Sequence, residues 1–361
     1  MAHARVLMSR PPPRFGIWAP YRAALDELAA RRGGHFAAAR ETVLSAERAG
    51  FDSVLLVQYT LNPLDPEGAI LEAWTAAAAL AALTRRIEII AAAKPYLYHP
   101  AVLAKQALGI EDISGGRFAV NYVNAWFIEE MERAGLPFPE HDERYRYGAE
   151  WLRVFKALIA GERVTFSGEY FQLDDYRLRP VSSTRPRPIV YAGGSSEPAR
   201  ALIAAQADVW LINAVPFEAF PGLIAEMARR PRPGAPLAFG ATGFVLARPG
   251  EKEAREAVEA LYERKERHRQ LQRESGAPAA RIDPRAAMTR FQYPEGQRCV
   301  IAFGDTLSDF IGSYDRVARR IVDFHRLGVD FFLNSFHPEI EEQERFAAEV
   351  IPRVHALLRR S

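Results

Sequence analysis

Arg117-Phe-Ala-Val-Asn-Tyr-Val-Asn-Ala-Trp126 is the stretch that decides the fold. It follows Ile113-Ser-Gly-Gly116, a turn at the end of a helical pattern. The apolar run then gives way to Asn121, Asn124 and Trp126. A buried strand that turns polar at its carboxyl end delivers functional groups to the mouth of a parallel sheet or barrel. There the amides of Asn121 and Asn124 can donate to and accept from a ligand. The same residues also suit an ordinary strand followed by a polar loop, so the flanking pattern has to discriminate.

On both sides β-rich runs alternate with helical patterns. Strands are expected at 15–20, 53–57, 87–91, 117–123, 189–192, 209–213, 239–247 and 330–334. The helices paired with them are expected at 36–49, 69–83, 100–112, 141–160, 198–206, 217–228, 251–273 and 341–358, with a further one at 314–327. Ser53-Val-Leu-Leu-Val57 is apolar throughout, as a strand covered on both faces must be. Gly50 stops the first helix, and Pro100 sits in the first turn of the third. Eight β/α pairs with right-handed crossovers predict an α/β fold, a (β/α)8 TIM barrel.

Three stretches exceed ordinary loop lengths and read as insertions, at about 127–142, 166–187 and 276–312. The second contains a hairpin-like turn, Phe166-Ser-Gly-Glu-Tyr170. The third follows strand seven, so it is expected to hang over the carboxyl face as a lid. Residues 1–13 read as a disordered arm, and 14–361 as one barrel domain.

Composition narrows the function. The chain has 361 residues, 48% of them hydrophobic, enough for a large core. A net charge of +2 argues against nucleic acid or an acidic membrane as partner. Cys299 is the single cysteine, which excludes an intramolecular disulfide and fits a reducing compartment. The amino terminus lacks an apolar signal region, and 76–83 is too short to span a bilayer. A cytoplasmic protein is expected.

Two further constellations can carry chemistry. Tyr191-Ala-Gly-Gly-Ser-Ser196 is a strand, a glycine turn and a helix start. Gly193 and Gly194 let backbone approach a ligand, and the helix amides with Ser195 favour a phosphate. His141-Asp-Glu-Arg-Tyr145 puts Arg144 and Tyr145 at another helix start, where both can reach an anion. No metal-ligand spacing, nucleophile elbow, Walker loop or dinucleotide GxGxxG is present. The charge run at 251–273 reads as a solvated helix face, and Trp74 and Trp151 as core.

Taken in order, these motifs resemble the bacterial-luciferase-like flavin-dependent monooxygenases. Within that family the chain is most similar to the branch of alkanesulfonate and dimethylsulfone monooxygenases and pyrimidine oxygenase. The matching marks are Leu83-Thr-Arg-Arg-Ile87, Ile113-Ser-Gly-Gly-Arg-Phe118 with Asn121, Glu140-His-Asp-Glu-Arg-Tyr145, Phe166-Ser-Gly-Glu-Tyr170, Tyr191-Ala-Gly-Gly-Ser-Ser196, and Gly312 leading into Val317-Ala-Arg-Arg-Ile321. The resemblance implies reduced FMN from a separate NAD(P)H-dependent flavin reductase, O2 as co-substrate, and a homodimer or homotetramer. It places the flavin site on Gln58, Tyr59, Asn121, Glu130, Arg144, Tyr145 and Ser195, beside Gly193 and Gly194. Catalytic groups are then expected at Asn121, Asn124 and Trp126. The family's usual Thr- or Ser-Gly-Trp is Asn124-Ala-Trp126 here.

The substrate side departs further. Where sulfonate-acting relatives carry two Arg, a His and a Tyr, this chain has Thr242, Phe244, Phe303 and Phe336. A buried sulfonate without a cation is costly. A small neutral or organosulfur substrate is therefore expected, nearer to dimethylsulfone than to an alkanesulfonate. Lys94 reads either as a polar group of that pocket or as a snorkelling surface residue. Two other functions remain open: an F420-dependent oxidoreductase of the same superfamily, and a non-catalytic flavin-binding protein.

Overall fold

The eight β-rich runs form eight parallel strands, and these close a barrel. Its order is β1 (Arg14–Trp18), β2 (Ser53–Leu56), β3 (Glu88–Ala93), β4 (Phe118–Tyr122), β7 (Ile189–Gly193), β8 (Val209–Ile212), β9 (Ala238–Phe244) and β12 (Val329–Ser335), which returns to β1. The structure is a computed structural model and describes residues 10–19, 34–63, 68–213, 215–274, 281, 283 and 310–360. The described helices are α1 (His35–Ala49), α2 (Ala73–Leu83), α3 (Pro100–Ser114), α4 (Ile128–Arg133), α5 (His141–Ile159), α6 (Glu197–Gln206), α7 (Phe220–Arg229), α8 (Glu251–Glu274), α9 (Tyr314–Leu327), α10 (Glu339–Glu349) and α11 (Ile351–Arg360). No described helix is long and apolar enough to cross a membrane.

Strand side chains alternate, so each barrel strand feeds two cores. Leu55, Ile90, Ala119, Tyr191, Leu211, Phe331 and Leu333 fill the barrel interior. Their neighbours Val54, Ile89, Val120, Val190 and Phe332 face the helices in a larger outer core. The interior is plugged at its amino end by the Glu88 carboxylate. It accepts from Arg14 at 2.9 Å and from the Tyr191 hydroxyl at 2.8 Å. This alternation fixes which residues reach the mouth: Asn121 shares the inward face of Ala119, two residues earlier on β4.

Local chemistry moves several boundaries. The second helix, expected from 69, starts at Ala73, because the Glu72 carboxylate caps it by accepting from the Trp74 and Thr75 amides at 3.0 and 2.7 Å. The expected seventh strand divides near Val245, whose amide bonds Ser335. Beyond it, β10 (Leu246–Arg248) leaves the barrel and pairs with β11 (Ile311–Ser313). The last helix breaks into α10 and α11, with Pro352 in the first turn of α11, where its missing N–H is tolerated. The stretch at 127–142 holds α4, and that at 166–187 includes part of an antiparallel hairpin of β5 (Val164–Ser167) and β6 (Gln172–Tyr176). Of the expected arm, Arg10 is tied to the barrel by an ion pair with Asp330. Most of the expected lid at 276–312 lies outside the described residues.

Gly148 lets α5 approach β4. A Cβ there would lie 1.8 Å from the Tyr122 hydroxyl and 3.0 Å from its ring, which is buried. Gly148→Ala is expected to destabilise the fold by about 1–3 kcal/mol through overpacking, despite the better helix propensity of Ala. Urea unfolding of the two proteins measures it, and an unchanged or raised midpoint would contradict this close packing.

Candidate active site

The carboxyl ends of β3 and β4 set the first part of the site. Ala92 pairs with Asn121, which is 5% exposed. The Asn121 Oδ1 is buried and makes no hydrogen bond. Three residues on, both amide atoms of Asn124 are buried without a well-formed hydrogen bond. An unsatisfied buried polar group costs about 1–3 kcal/mol. Open amides at the end of one strand are therefore poised for a ligand that supplies their partners. Asn124 lies near the Tyr145 hydroxyl; burial raises the Tyr145 pKa, against the effect of Ser196 and Asn124. Trp126 completes this side, meeting Tyr59 edge to face at 5.9 Å and 84°.

The turn after β7 forms the second part. Gly194 has φ +152°, and a Cβ on it would lie 2.7 Å from Ala199 Cβ and 3.6 Å from Tyr145 Oη. A Cβ on Gly193 would stand 3.3 Å from Asn213 Nδ2. The turn is pinned by Trp210 Nε1, which donates to the Gly194 carbonyl at 3.0 Å, and by Arg200, which donates to the Ser195 carbonyl at 2.6 Å. Ser196 caps α6, accepting from the Ala199 amide. The helix thus presents its positive end, beside Ser195, to whatever approaches the turn.

Arg144 stands nearby but is engaged. It is 3% exposed, donates to the Pro139 carbonyl at 2.7 Å, lies 4.1 Å over the Phe138 ring and forms an ion pair with Asp283. The Asp283 amide in turn donates to the Trp126 carbonyl at 2.8 Å.

These groups fit a flavin mononucleotide. The open Asn121 Oδ1 and the Asn124 amide, which has no well-formed hydrogen bond, match the hydrogen-bonding edge of an isoalloxazine. The glycine cradle and the α6 amino terminus match one phosphate.

Other expected residues stand elsewhere. Gln58 is 1% exposed; it donates to the Tyr98 hydroxyl at 2.9 Å and accepts from the Ala73 amide at 3.2 Å. Its amide fastens α2 to the scaffold instead of facing a flavin. Glu130 is 0% exposed and pairs with Lys94, so it offers no face to a cofactor. Lys94 is correspondingly neither a free pocket cation nor a surface residue. Burial pushes its pKa down, with Glu130 opposing. Phe336 packs its ring on Phe51 and Phe346 in the outer core. Phe244 lies in a small cluster with Leu246, Ala254 and Leu261 under α8. Thr242 donates to Asn213 Oδ1 at 2.7 Å, and Phe303 lies outside the described residues. Asn213 is the mouth residue that the sequence reading passed over. Its signal was the one that singled out Asn121, an amide at the carboxyl end of an apolar strand.

The model of the luciferase-like monooxygenase family matches residues 13–330. An FMNH2-dependent dimethylsulfone monooxygenase of Pseudomonas putida is 31% identical over 330 residues, 88% of each chain. Among solved structures, the long-chain alkane monooxygenase LadA superposes with a TM-score of 0.71 at 16% identity, over 96% of this chain and 92% of its own. An F420-dependent secondary alcohol dehydrogenase superposes with a TM-score of 0.68 at 19% identity, over 95% of this chain and 99% of its own, so the fold by itself does not select the cofactor. The chain belongs to the luciferase-like monooxygenase family, and it is a flavin-dependent monooxygenase.

Proposed function

We propose that the protein uses reduced FMN and O2 to oxygenate a small neutral organosulfur compound of the sulfone type. The observation that carries the reading lies at the carboxyl end of β4, where the Asn121 Oδ1 and the Asn124 amide are buried without a well-formed hydrogen bond. Bound FMN supplies the electrons that activate oxygen. Asn121 and Asn124 would orient its ring, the Gly193–Gly194 turn and Ser195 would hold its phosphate, and Tyr59 and Trp126 would shield the reacting edge from water. A separate NAD(P)H-dependent reductase delivers the reduced flavin, and the cytoplasm is the setting that suits such a pair.

The described residues near the mouth support a neutral substrate. Thr242 already gives its hydroxyl proton to Asn213, and Phe244 is packed with Leu246, Ala254 and Leu261 under α8. The nearby cations are neutralised, Lys94 by Glu130 and Arg144 by Asp283. A sulfonate entering here would lose its hydration without gaining Lys94 or Arg144 as an unpaired cation. Titration with FMN, F420 and NADH tests the cofactor assignment, with FMN expected to bind most tightly. Tighter F420 binding would move the chain to the deazaflavin-dependent oxidoreductases.

A second copy of the chain is the expected partner of α2 and α3. Helix α2, Ala-Trp-Thr-Ala-Ala-Ala-Ala-Leu-Ala-Ala-Leu, has scarcely a polar face, a composition suited to burial on all sides. Yet Leu83 is 46% exposed, and on the adjoining α3 Val102 is 56% and Ile113 52% exposed. Light scattering should report a homodimer or homotetramer, and Val102→Glu with Ile113→Glu should shift it toward monomer. A monomeric parent protein would overturn the proposal.

A further inference from the structure

We propose that Glu130 is a positioning residue for the reaction: through Lys94 and Thr60 it sets the orientation of the Tyr59 and Trp126 rings that wall the mouth. The pair is buried at both ends, with Glu130 0% and Lys94 2% exposed. Taking two charges out of water removes most of what their attraction returns, and a well-packed apolar pair would serve stability as well or better. What this pair does that an apolar pair cannot is bond in fixed directions.

Those bonds join three consecutive βα loops. Glu130 follows β4, Lys94 follows β3, and Thr60 follows β2. One carboxylate oxygen accepts from the Thr60 amide at 2.6 Å and its hydroxyl at 3.3 Å. The other takes the Lys94 ammonium. That ammonium lies 4.1 Å from the centroid of the Tyr59 ring, and Tyr59 directly precedes Thr60. The carboxylate therefore holds Tyr59 twice, by the next backbone amide and, through the lysine, by the face of its ring. Tyr59 in turn sets its ring against Trp126, two residues beyond Asn124. Being fully buried, Glu130 touches neither cofactor nor substrate; it acts through the wall. A cation over an aromatic face and a hydrogen bond to an amide both have angular preferences, so together they lock a rotamer.

The test uses the full chain and two readouts. The first is the emission of Trp126, obtained as the difference between each protein and its Trp126→Phe counterpart, without flavin. The second is the kcat and KM for dimethylsulfone with reductase and FMN. Only the kinetic arm rests on the proposed function; the emission arm holds even if the sulfone proves not to be a substrate. Glu130→Gln keeps the shape and an acceptor for Thr60 but loses the charge. It should shift Trp126 emission to longer wavelength and lower kcat by on the order of ten- to hundred-fold, as misplacement of site groups does, with a smaller change in KM. The swap Lys94→Glu with Glu130→Lys restores an ion pair but carries the cation away from Tyr59. It should recover the melting temperature and leave emission and kcat impaired. If the swap does not fold, Lys94→Met with Glu130→Gln takes its place, with the same expectation. Parental emission in Glu130→Gln, or recovery of emission and kcat together with stability in either double variant, would reduce the pair to a structural role and overturn the proposal. A Glu130→Gln protein that folds only as the double variant and then shows parental emission has the same meaning.

Discussion

Gly194→Val is expected to weaken FMN binding by on the order of 100-fold, about 2.7 kcal/mol. Two penalties combine at this position. The backbone there has φ +152°, which β-branched residues scarcely adopt, at a strain of about 1–3 kcal/mol. The new Cβ would also stand 2.7 Å from Ala199 Cβ, inside the α6 turn that the phosphate is to meet. The turn can relieve both only by moving away from Tyr145 and the α6 amino terminus. Gly194→Ala meets the same Cβ contact without the two γ-methyl groups of Val and should fall between the parent protein and Gly194→Val. Equilibrium titration with FMN measures the series, and unchanged affinity in a folded Gly194→Val protein would remove this turn from the site.

Arg144→Ala should lower the free energy of unfolding by about 3–5 kcal/mol, because it takes away the guanidinium that neutralises buried Asp283. The paired change, Arg144→Ala with Asp283→Ala, should restore most of that loss. Urea unfolding of the four proteins gives the coupling directly. Losses that simply add would show that the pair is not coupled and that Asp283 is held by other means. Arg144 read from the sequence as a phosphate ligand. Its observed partner lies 139 residues away, in a stretch that no local pattern connects to it.

That difference marks what the sequence could convey. The barrel was legible because strands such as Ser53-Val-Leu-Leu56 are buried on both faces and stand between helices with readable ends, as at Gly50 and Gly115. The open amides of Asn121 and Asn124 were legible for the same reason, as polar residues where an apolar strand stops. Boundaries shifted where a less usual residue took over a terminus, as Glu72 does for α2. Family correspondence alone did not settle side-chain direction. Gln58 and Tyr59 are adjacent in the loop after β2, yet the first bonds Tyr98 and the Ala73 amide while the second meets Lys94 and Trp126. Phe336 likewise turns to Phe51 and Phe346. Pairings such as Lys94 with Glu130 are products of the tertiary fold, since they join loops that only barrel closure brings together.

Incubating the protein with its reductase system, FMN, 18O2 and either dimethylsulfone or methanesulfonate tests the central claim most directly. One atom of 18O should enter the product of the neutral sulfone, while methanesulfonate should be recovered essentially unchanged. Absence of label from the sulfone, or faster turnover of methanesulfonate, would contradict it.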